Sequence, residues 1–347
     1  MNEIGSIAAA DEVIRAAALR RLDSLTKPLG ALGRLEALAA QVCAIQRTLE
    51  PSIVNPVAFV FAADHGVADR GVSAYPRAVT AQMVKNFLAG GAAINVLARL
   101  HAIDLWIVDA GVDGDCGSHP RLIDAKIRRG TRDLVAAPAM TPEETSAAIR
   151  HGRAASDQVA TLGGNTLLLG EMGIGNTASA ALLMHGLTGL PLTECVGRGT
   201  GLDDAGLERK RAILSLAIAR RAPPRDPVEL LAEFGGYEIA MLTGALLGAA
   251  ARQQLIVVDG FTVTVAAALA ARIDPKVLDY CVFGHCSAER AHRALLANLG
   301  VEPLLDVGMR LGEGSGAAVA LSIVRSAVGL FREMATFEGA GVSEKTV

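Results

Sequence analysis

Two carboxylates set among glycines are the side chains of this sequence whose type and spacing could do chemistry. Glu171 lies in Thr166–Thr177 (TLLLGEMGIGNT), an apolar run that breaks into a glycine turn and opens a helix. Backbone N–H groups at such a turn, backed by the helix dipole, form a seat for an anion. A phosphate held there would have Glu171 and Asn176 beside it. Glu313 lies in Leu311–Gly316 (LGEGSG), between Gly312 and Gly314, which let backbone and substrate approach closely. A phosphate cradle with one displayed carboxylate outlines an enzyme. The plain alternative for Glu313 is an exposed loop residue that helps to cap the following helix. A helix N-terminus would also lower its pKa and weaken it as a base, whereas burial under a bound aromatic would raise it.

The glycine turn nearly matches two phosphate motifs. Gly170-x-x-x-x-Gly175 has P-loop spacing with Thr177 in the metal-binding hydroxyl position, but Asn176 stands where that loop needs lysine, which disfavours a nucleotide triphosphatase. Gly173-x-Gly175-x-x-Ala178 fits the dinucleotide fingerprint, and Glu194 follows at about the 20-residue distance of its ribose-binding acid. Gly189–Thr193 makes a poor second strand for that unit, and a tight turn that only needs small residues is the structural alternative. Gly197–Gly201 (GRGTG), including Gly199 and Thr200, precedes Lys210 on an expected helix. It could bring N–H donors and one cation to the same phosphate, or form a surface loop. His65 and His285 follow apolar runs and are conceivable metal ligands, but paired histidine spacing is missing and hydrogen-bonded structural histidines are commoner. Cys286 beside His285 is a weak nucleophile pair, because sequence neighbours on a turn rarely face each other. Tyr75 and Met83, in a loop entering a helix, could wall an aromatic pocket or belong to the core.

The elements that must position these residues read as alternating strands and helices. Short apolar runs at Val57–Ala62, Leu105–Val108, Thr166–Leu169, Leu255–Val258, Leu278–Phe283 and Pro303–Leu305 each end at a turn residue or a carboxylate, with helical stretches following. That alternation predicts a parallel α/β sheet. Ligands of such sheets bind beyond the carboxyl ends of the strands, where the polar residues here gather. Ala8–Leu22 and Leu32–Thr48 read as helices separated by a Pro/Gly break, and Ala317–Thr336 as an apolar helix that packs beside them. The 347 residues exceed the usual size of one domain. With 51% hydrophobic residues and only 3% aromatic, the core must come from Ala, Leu, Val and Ile, which suits helices on a parallel sheet. A net charge of −3 makes no electrostatic case for nucleic acid or an anionic membrane. Five scattered cysteines without a C-x-x-C give no zinc or disulfide framework. No basic segment leads an apolar run at the start, and runs such as Gly244–Ala251 are too short and too rich in Ala and Gly to span a bilayer, so a cytoplasmic protein is expected.

Seven segments carry a more specific signal together than apart. They are Leu25–Glu36 (LTKPLGALGRLE), Phe61–Gly71 (FAADHGVADRG), Gly170–Thr177, Gly235–Gly248 (GGYEIAMLTGALLG), Val258–Phe261 (VDGF), His285–Glu289 (HCSAE) and Met309–Ala317 (MRLGEGSGA). In order, and across most of the chain, they closely resemble the nicotinate-nucleotide–dimethylbenzimidazole phosphoribosyltransferases of cobalamin synthesis. The resemblance implies transfer of phosphoribose from β-nicotinate mononucleotide to a nitrogen of 5,6-dimethylbenzimidazole. The products would be α-ribazole 5′-phosphate and nicotinate, with inversion at C1′ and no metal or organic cofactor. Glu313 then matches the family's catalytic base, and Glu171 an acid beside the ribose. Gly173, Gly175, Asn176 and Thr177 would hold the 5′-phosphate, helped by Gly199, Thr200 and Lys210, while Tyr75, Met83 and Met172 would face the benzimidazole. The resemblance also implies a Rossmann-like parallel sheet flanked by helices over residues 51–324, a smaller helical domain from residues 1–50 and 325–347, and homodimers acting on small molecules. A nicotinamide-dinucleotide oxidoreductase and a non-catalytic base-binding protein on the same scaffold are the competing readings.

Overall fold

The computed structural model describes residues 6–343. Helices α1 (Glu12–Asp23) and α2 (Arg34–Gln46) precede strand β1 (Val57–Ala63), which leads into α3 (Ala78–Leu88) and α4 (Ala93–Leu100). Strands β2 (Asp104–Gly111) and β3 (Leu122–Asp124) follow, then α5 (Pro142–Thr161), β4 (Thr166–Met172), α6 (Asn176–Thr188) and α7 (Leu192–Cys195). After α8 (Asp204–Arg220), α9 (Pro227–Phe234) and α10 (Tyr237–Ala251) come β5 (Leu255–Val258), α11 (Phe261–Ile273) and β6 (Cys281–Phe283). The chain finishes through α12 (Arg290–Leu299), α13 (Ser315–Glu333) and α14 (Phe337–Ala340).

The strands form one sheet in the order β3-β2-β1-β4-β5-β6, and every pairing is parallel. The expected Rossmann-like sheet is therefore present. The chain runs outward from β1 to β3 and then returns to the other side of β1 as β4. The loops leaving β1 and β4 diverge, and that divergence opens a ligand crevice at their carboxyl ends. Because helices cover both faces, β1 is apolar at every position and alternates between two cores. Val57, Phe59 and Phe61 join the cluster under α5, α6, α10 and α11. Ala58, Val60 and Ala62 join the cluster under α3, α4 and the start of α13. A helix that is apolar all round belongs in an interior, and α10 is buried from Tyr237 through Ala250. It meets α5 at glycines: a Cβ on Gly152 would lie 1.8 Å from Met241 O, and one on Gly244 2.0 Å from Ile149 O. Close helix contact through small residues is how a core so poor in aromatics fills its volume.

Three expected elements differ from the structure. Leu278–Tyr280 lies in a 3₁₀ turn, so β6 keeps only Cys281–Phe283, and Pro303–Leu305 contributes one bridge, between Leu305 and His285. The edge strand β3 carries no periodic signal, being three residues long and partly exposed. The first helix starts at Glu12, where the Asp11 side chain accepts from the N–H groups of Val13 and Ile14 and satisfies its first turn. The two chain ends do meet. Thr26 N–H donates to Ala335 O, Phe337 N–H donates to Ser24 O, and Phe331 shares an apolar cluster with Leu22, Leu38 and Val42. That cluster is continuous with the sheet, and the boundary expected at 324/325 falls inside α13. Residues 1–5 and 344–347 of the expected end segments lie outside the described residues. By length and composition α13 could cross a bilayer, but 56% of it is buried in the protein, where it serves as a core helix.

Candidate active site

The glycine turn after β4 is held from two sides. A Cβ on Gly173 would lie 2.4 Å from Ala63 O at the end of β1, so only glycine permits this approach. The N–H of Ile174 donates to Thr80 Oγ1 of α3 at 3.1 Å. Gly175 has φ 97°, which suits glycine, and turns the chain into α6. Asn176 and Thr177 thus stand at a helix N-terminus, where the Asn176 N–H donates back to Gly173 O and the Ala178 N–H to Gly175 O. The lysine missing from the turn arrives from α8. Lys210 is fully buried and donates to Thr177 Oγ1 at 2.8 Å and to Gly197 O at 3.2 Å. One cation therefore ties the GRGTG loop to the first turn of α6. Burial pulls the Lys210 pKa down to about 8, against the opposing charge of Glu289.

The Glu313 loop is built on unusual backbone. Gly312, Glu313 and Gly314 have φ of 85°, 64° and 81°. Placing glutamate in the left-handed region costs about 1–2 kcal/mol, so surrounding contacts must hold it there. Glu313 N–H donates to Glu171 O at 3.2 Å. Asp259, at the end of β5, accepts from Gly314 N–H at 3.1 Å through Oδ2, and from Gly316 and Ala317 N–H at 2.7 and 3.1 Å through Oδ1. Asp259, not Glu313, satisfies the start of α13. The Glu313 carboxylate is instead buried and reaches the N–H of Ile94 in α4 at 3.5 Å. Burial raises its pKa, the Ile94 N–H opposes this, and Asp259 adds to the rise.

Glu171 lies across from Glu313 and accepts a hydrogen bond from Asn176 Nδ2. Its pKa is pushed up to about 8 by desolvation first, then by Asp259 and Glu238, with Asn176 opposing and Glu313 adding a little. Neighbouring carboxylates cannot all ionise, and burial together with these neighbours favours the protonated form of Glu171. His65 is no free ligand: its Nε2 lies 2.7 Å from Glu238 Oε1 and its Nδ1 3.0 Å from Ser179 Oγ, all buried beneath the glycine turn.

A narrow cavity of about 90 Å³ lies at the carboxyl end of the sheet, and its walls include Glu171, Met172, Gly173, Asn176, Thr177, Gly199, Thr200, Leu311 and Gly312; Glu313, the next residue, does not itself line it. A wider cavity of about 430 Å³ opens between Pro138–Pro142 and α9, and none of the expected site residues lines it. The structure thus brings together every expected phosphate and ribose residue. Gly175 and Lys210 lie just behind the wall. Tyr75 and Met83 are not part of it: Tyr75 is 53% exposed, and Met83 packs with Met172 on the apolar cluster under α3. The Tyr75 loop still abuts the site, since Ser73 Oγ lies 3.2 Å from Thr200 Oγ1. Asp259, Phe261, Ser287, Glu289 and Arg310 belong to the site without having been expected there, and His285, weighed only as a metal ligand, lines it too. Asp259 was legible, because it ends an apolar strand run before a glycine, Gly260.

A family model described as a phosphoribosyltransferase matches residues 7–342. The nicotinate-nucleotide–dimethylbenzimidazole phosphoribosyltransferase of Cupriavidus taiwanensis is 57% identical over 333 residues, 96% of each chain. This chain belongs to that family. The enzyme of the same name from Cupriavidus necator is 56% identical over the same shares. The crystal structure of CobT from Thermus thermophilus, 45% identical, matches with a TM-score of 0.93 over 96% of this chain and all of that one. Family membership does not favour the dinucleotide reading, and neither does the fold around Glu194. That residue lies in the short helix α7, not after a second strand.

Proposed function

We propose that this protein transfers phosphoribose from β-nicotinate mononucleotide to 5,6-dimethylbenzimidazole, giving α-ribazole 5′-phosphate and nicotinate. The observation that carries the reading is the buried Glu313 carboxylate, held on a left-handed loop against Glu171 beside a lysine-backed phosphate seat. Gly173, Gly175, Asn176, Thr177, Gly199, Thr200 and Lys210 hold the 5′-phosphate. Protonated Glu171 donates to a ribose hydroxyl. The acceptor nitrogen attacks C1′ as the bond to nicotinate breaks. The released electron pair neutralises the cationic ring nitrogen of the leaving nicotinate, so no strong acid is needed. Glu313 takes the proton from the benzimidazole N–H and opposes the positive charge developing on the sugar. Met172 lines the acceptor side, with the Tyr75–Met83 segment next to it. The same reading has the protein working in the cytoplasm as a homodimer, which sedimentation velocity would test.

Purified protein given both substrates should release nicotinate and form α-ribazole phosphate in equal amounts on chromatography. Nicotinate alone would make it a hydrolase, and neither product would leave a binding protein. Titration with reduced dinucleotide, followed by fluorescence, should show little binding.

The pH profile of kcat/KM for the donor should fall above about pH 8. There Lys210 loses its charge and Glu171 gains one, both to the cost of an anionic substrate. Its rising limb should lie above the ordinary carboxylate range, because Glu313 must be ionised and burial raises its pKa. A flat profile across pH 8 would remove Lys210 from the seat. Gly175→Val should weaken the donor by about 10–100-fold, since a side chain at φ 97° is strained and its Cβ would meet those of His65 and Ala68 at 3.2 and 3.3 Å. Unchanged donor affinity by calorimetry would make the turn only structural.

A further inference from the structure

His65 does not line the cavity, yet it ties the glycine turn and α6 to the sheet. Its backbone is pinned just past the end of β1. Asp64 O accepts from Thr131 N–H at 3.0 Å, Gly66 N–H donates to Thr131 Oγ1 at 3.2 Å, and His65 O accepts from Ala68 N–H at 3.0 Å. The ring reaches two further segments. Nδ1 lies 3.0 Å from Oγ of Ser179 in the opening turns of α6, and Nε2 lies 2.7 Å from Oε1 of Glu238 at the start of α10. All three side chains are fully buried. The ring also lies on bare backbone, since a Cβ on Gly236 would sit 2.3 Å from its Cε1. Ser179 has a single hydroxyl proton, which it donates to Gly235 O at 3.3 Å. The ring must therefore be the donor in the other bond, through Nδ1–H. Nε2 and the Glu238 oxygen share a second proton, and that bond orients the imidazole.

The other side-chain holds on the start of α6 differ in kind. Lys210 holds Thr177, and Glu171 holds Asn176. In the reading proposed above the donor engages these same groups, so its arrival competes with the bonds that fix them. Neither His65 nor Ser179 lines the cavity, and their bond is not contested. We propose that His65 is a positioning residue of the phosphate seat: through Ser179 it keeps the start of α6 in its donor-binding place, while Glu238 holds the ring that does so. This role rests on the reading of the turn as the donor-phosphate site. Without the bond, the start of α6 occupies its binding place only part of the time, and donor affinity falls by that fraction. Saturating donor refills the competent state, so the loss is read in donor affinity and KM while kcat is spared.

Calorimetric titration of the full-length protein with β-nicotinate mononucleotide, paired with initial rates on both substrates, reads this split. The amide of an Asn side chain stands where Nδ1 stands, and that of a Gln side chain reaches as far as Nε2. His65→Asn thus keeps a donor for Ser179, whereas His65→Gln keeps one only for Glu238. Ser179→Ala and His65→Gln should each weaken donor binding about tenfold, with kcat at saturating donor within about twofold of wild type. His65→Asn should bind the donor within about threefold of wild type. The double variant of His65→Gln and Ser179→Ala should be no weaker than either single, because both remove one bond. Wild-type donor affinity in Ser179→Ala, which loses only a hydroxyl, would overturn the proposal whatever the His65 variants do. A loss confined to kcat, losses that multiply in the double variant, or a His65→Asn as weak as His65→Gln would overturn it too. Absence of donor binding by the wild type would instead overturn the phosphate seat, and the role of His65 with it.

Discussion

Glu313→Gln should lower turnover by about 10²–10⁴-fold while leaving donor affinity within about twofold of wild type. The amide keeps the volume of the side chain and can still meet the N–H of Ile94, so the left-handed loop has no reason to move. What it lacks is a basic lone pair for the acceptor's proton and a negative charge facing C1′. In the proposed reading the donor contacts lie elsewhere, at the glycine turn, the GRGTG loop and Lys210. Chromatographic rates with saturating substrates, paired with calorimetry of the donor, separate the two effects. A rate near wild type would remove Glu313 as the base. A rate loss matched by lost donor binding would make it a binding residue.

Asp259→Ala should be nearly as damaging, by a different route. Its carboxylate accepts three backbone N–H groups that place Glu313 and open α13. Truncation leaves those buried donors without partners, at a cost of about 1–3 kcal/mol for each group left unsatisfied, less what water recovers. It also frees a loop in which Glu313 holds a φ of 64° that a side chain disfavours. A displacement of Glu313 of about 1 Å is enough to cost 10²-fold in rate. Denaturant unfolding should therefore show lost stability together with a fall in kcat. A further readout distinguishes positioning from simple loosening. Asp259 raises the pKa of both Glu171 and Glu313, so its removal should shift the rising limb of the pH profile to lower pH. Asp259→Asn, which keeps an oxygen for Gly316 and Ala317, should recover part of the stability and keep the acid shift. Wild-type kinetics in Asp259→Ala would show that the loop holds itself.

The parts of the site legible in the sequence are those whose chemistry is local. The TLLLGEMGIGNT run announces its strand, turn and helix because β-strand apolarity, glycine freedom and a helix start follow within a dozen residues. Most of the parallel sheet was visible because each strand ends abruptly at a polar residue. The missing pieces depend on tertiary contact. The sequence offered Lys210 as a cation for the turn but left a surface loop equally open, and only its contact with Thr177 decides; nothing local tells that Asp259 takes over the capping role that Glu313 could have filled. The Tyr75–Met83 pocket rested on residue type and on the family resemblance, and exposure of Tyr75 follows from where its loop turns. Strand β3 went unseen because three partly exposed residues show no periodicity.

The most direct test of phosphoribosyl transfer across the Glu313 face is the anomeric configuration of the product. Wild-type protein, β-nicotinate mononucleotide and 5,6-dimethylbenzimidazole should give a single ribazole phosphate, and its C1′ proton and cross-ring Overhauser contacts by NMR should report the α anomer. The base would then have displaced nicotinate from the opposite face, under the carboxylate, in one inverting step. A β anomer, or a mixture of both, would contradict the account. It would require either a covalent intermediate or a free sugar cation, which the placement of Glu313 is not built to produce.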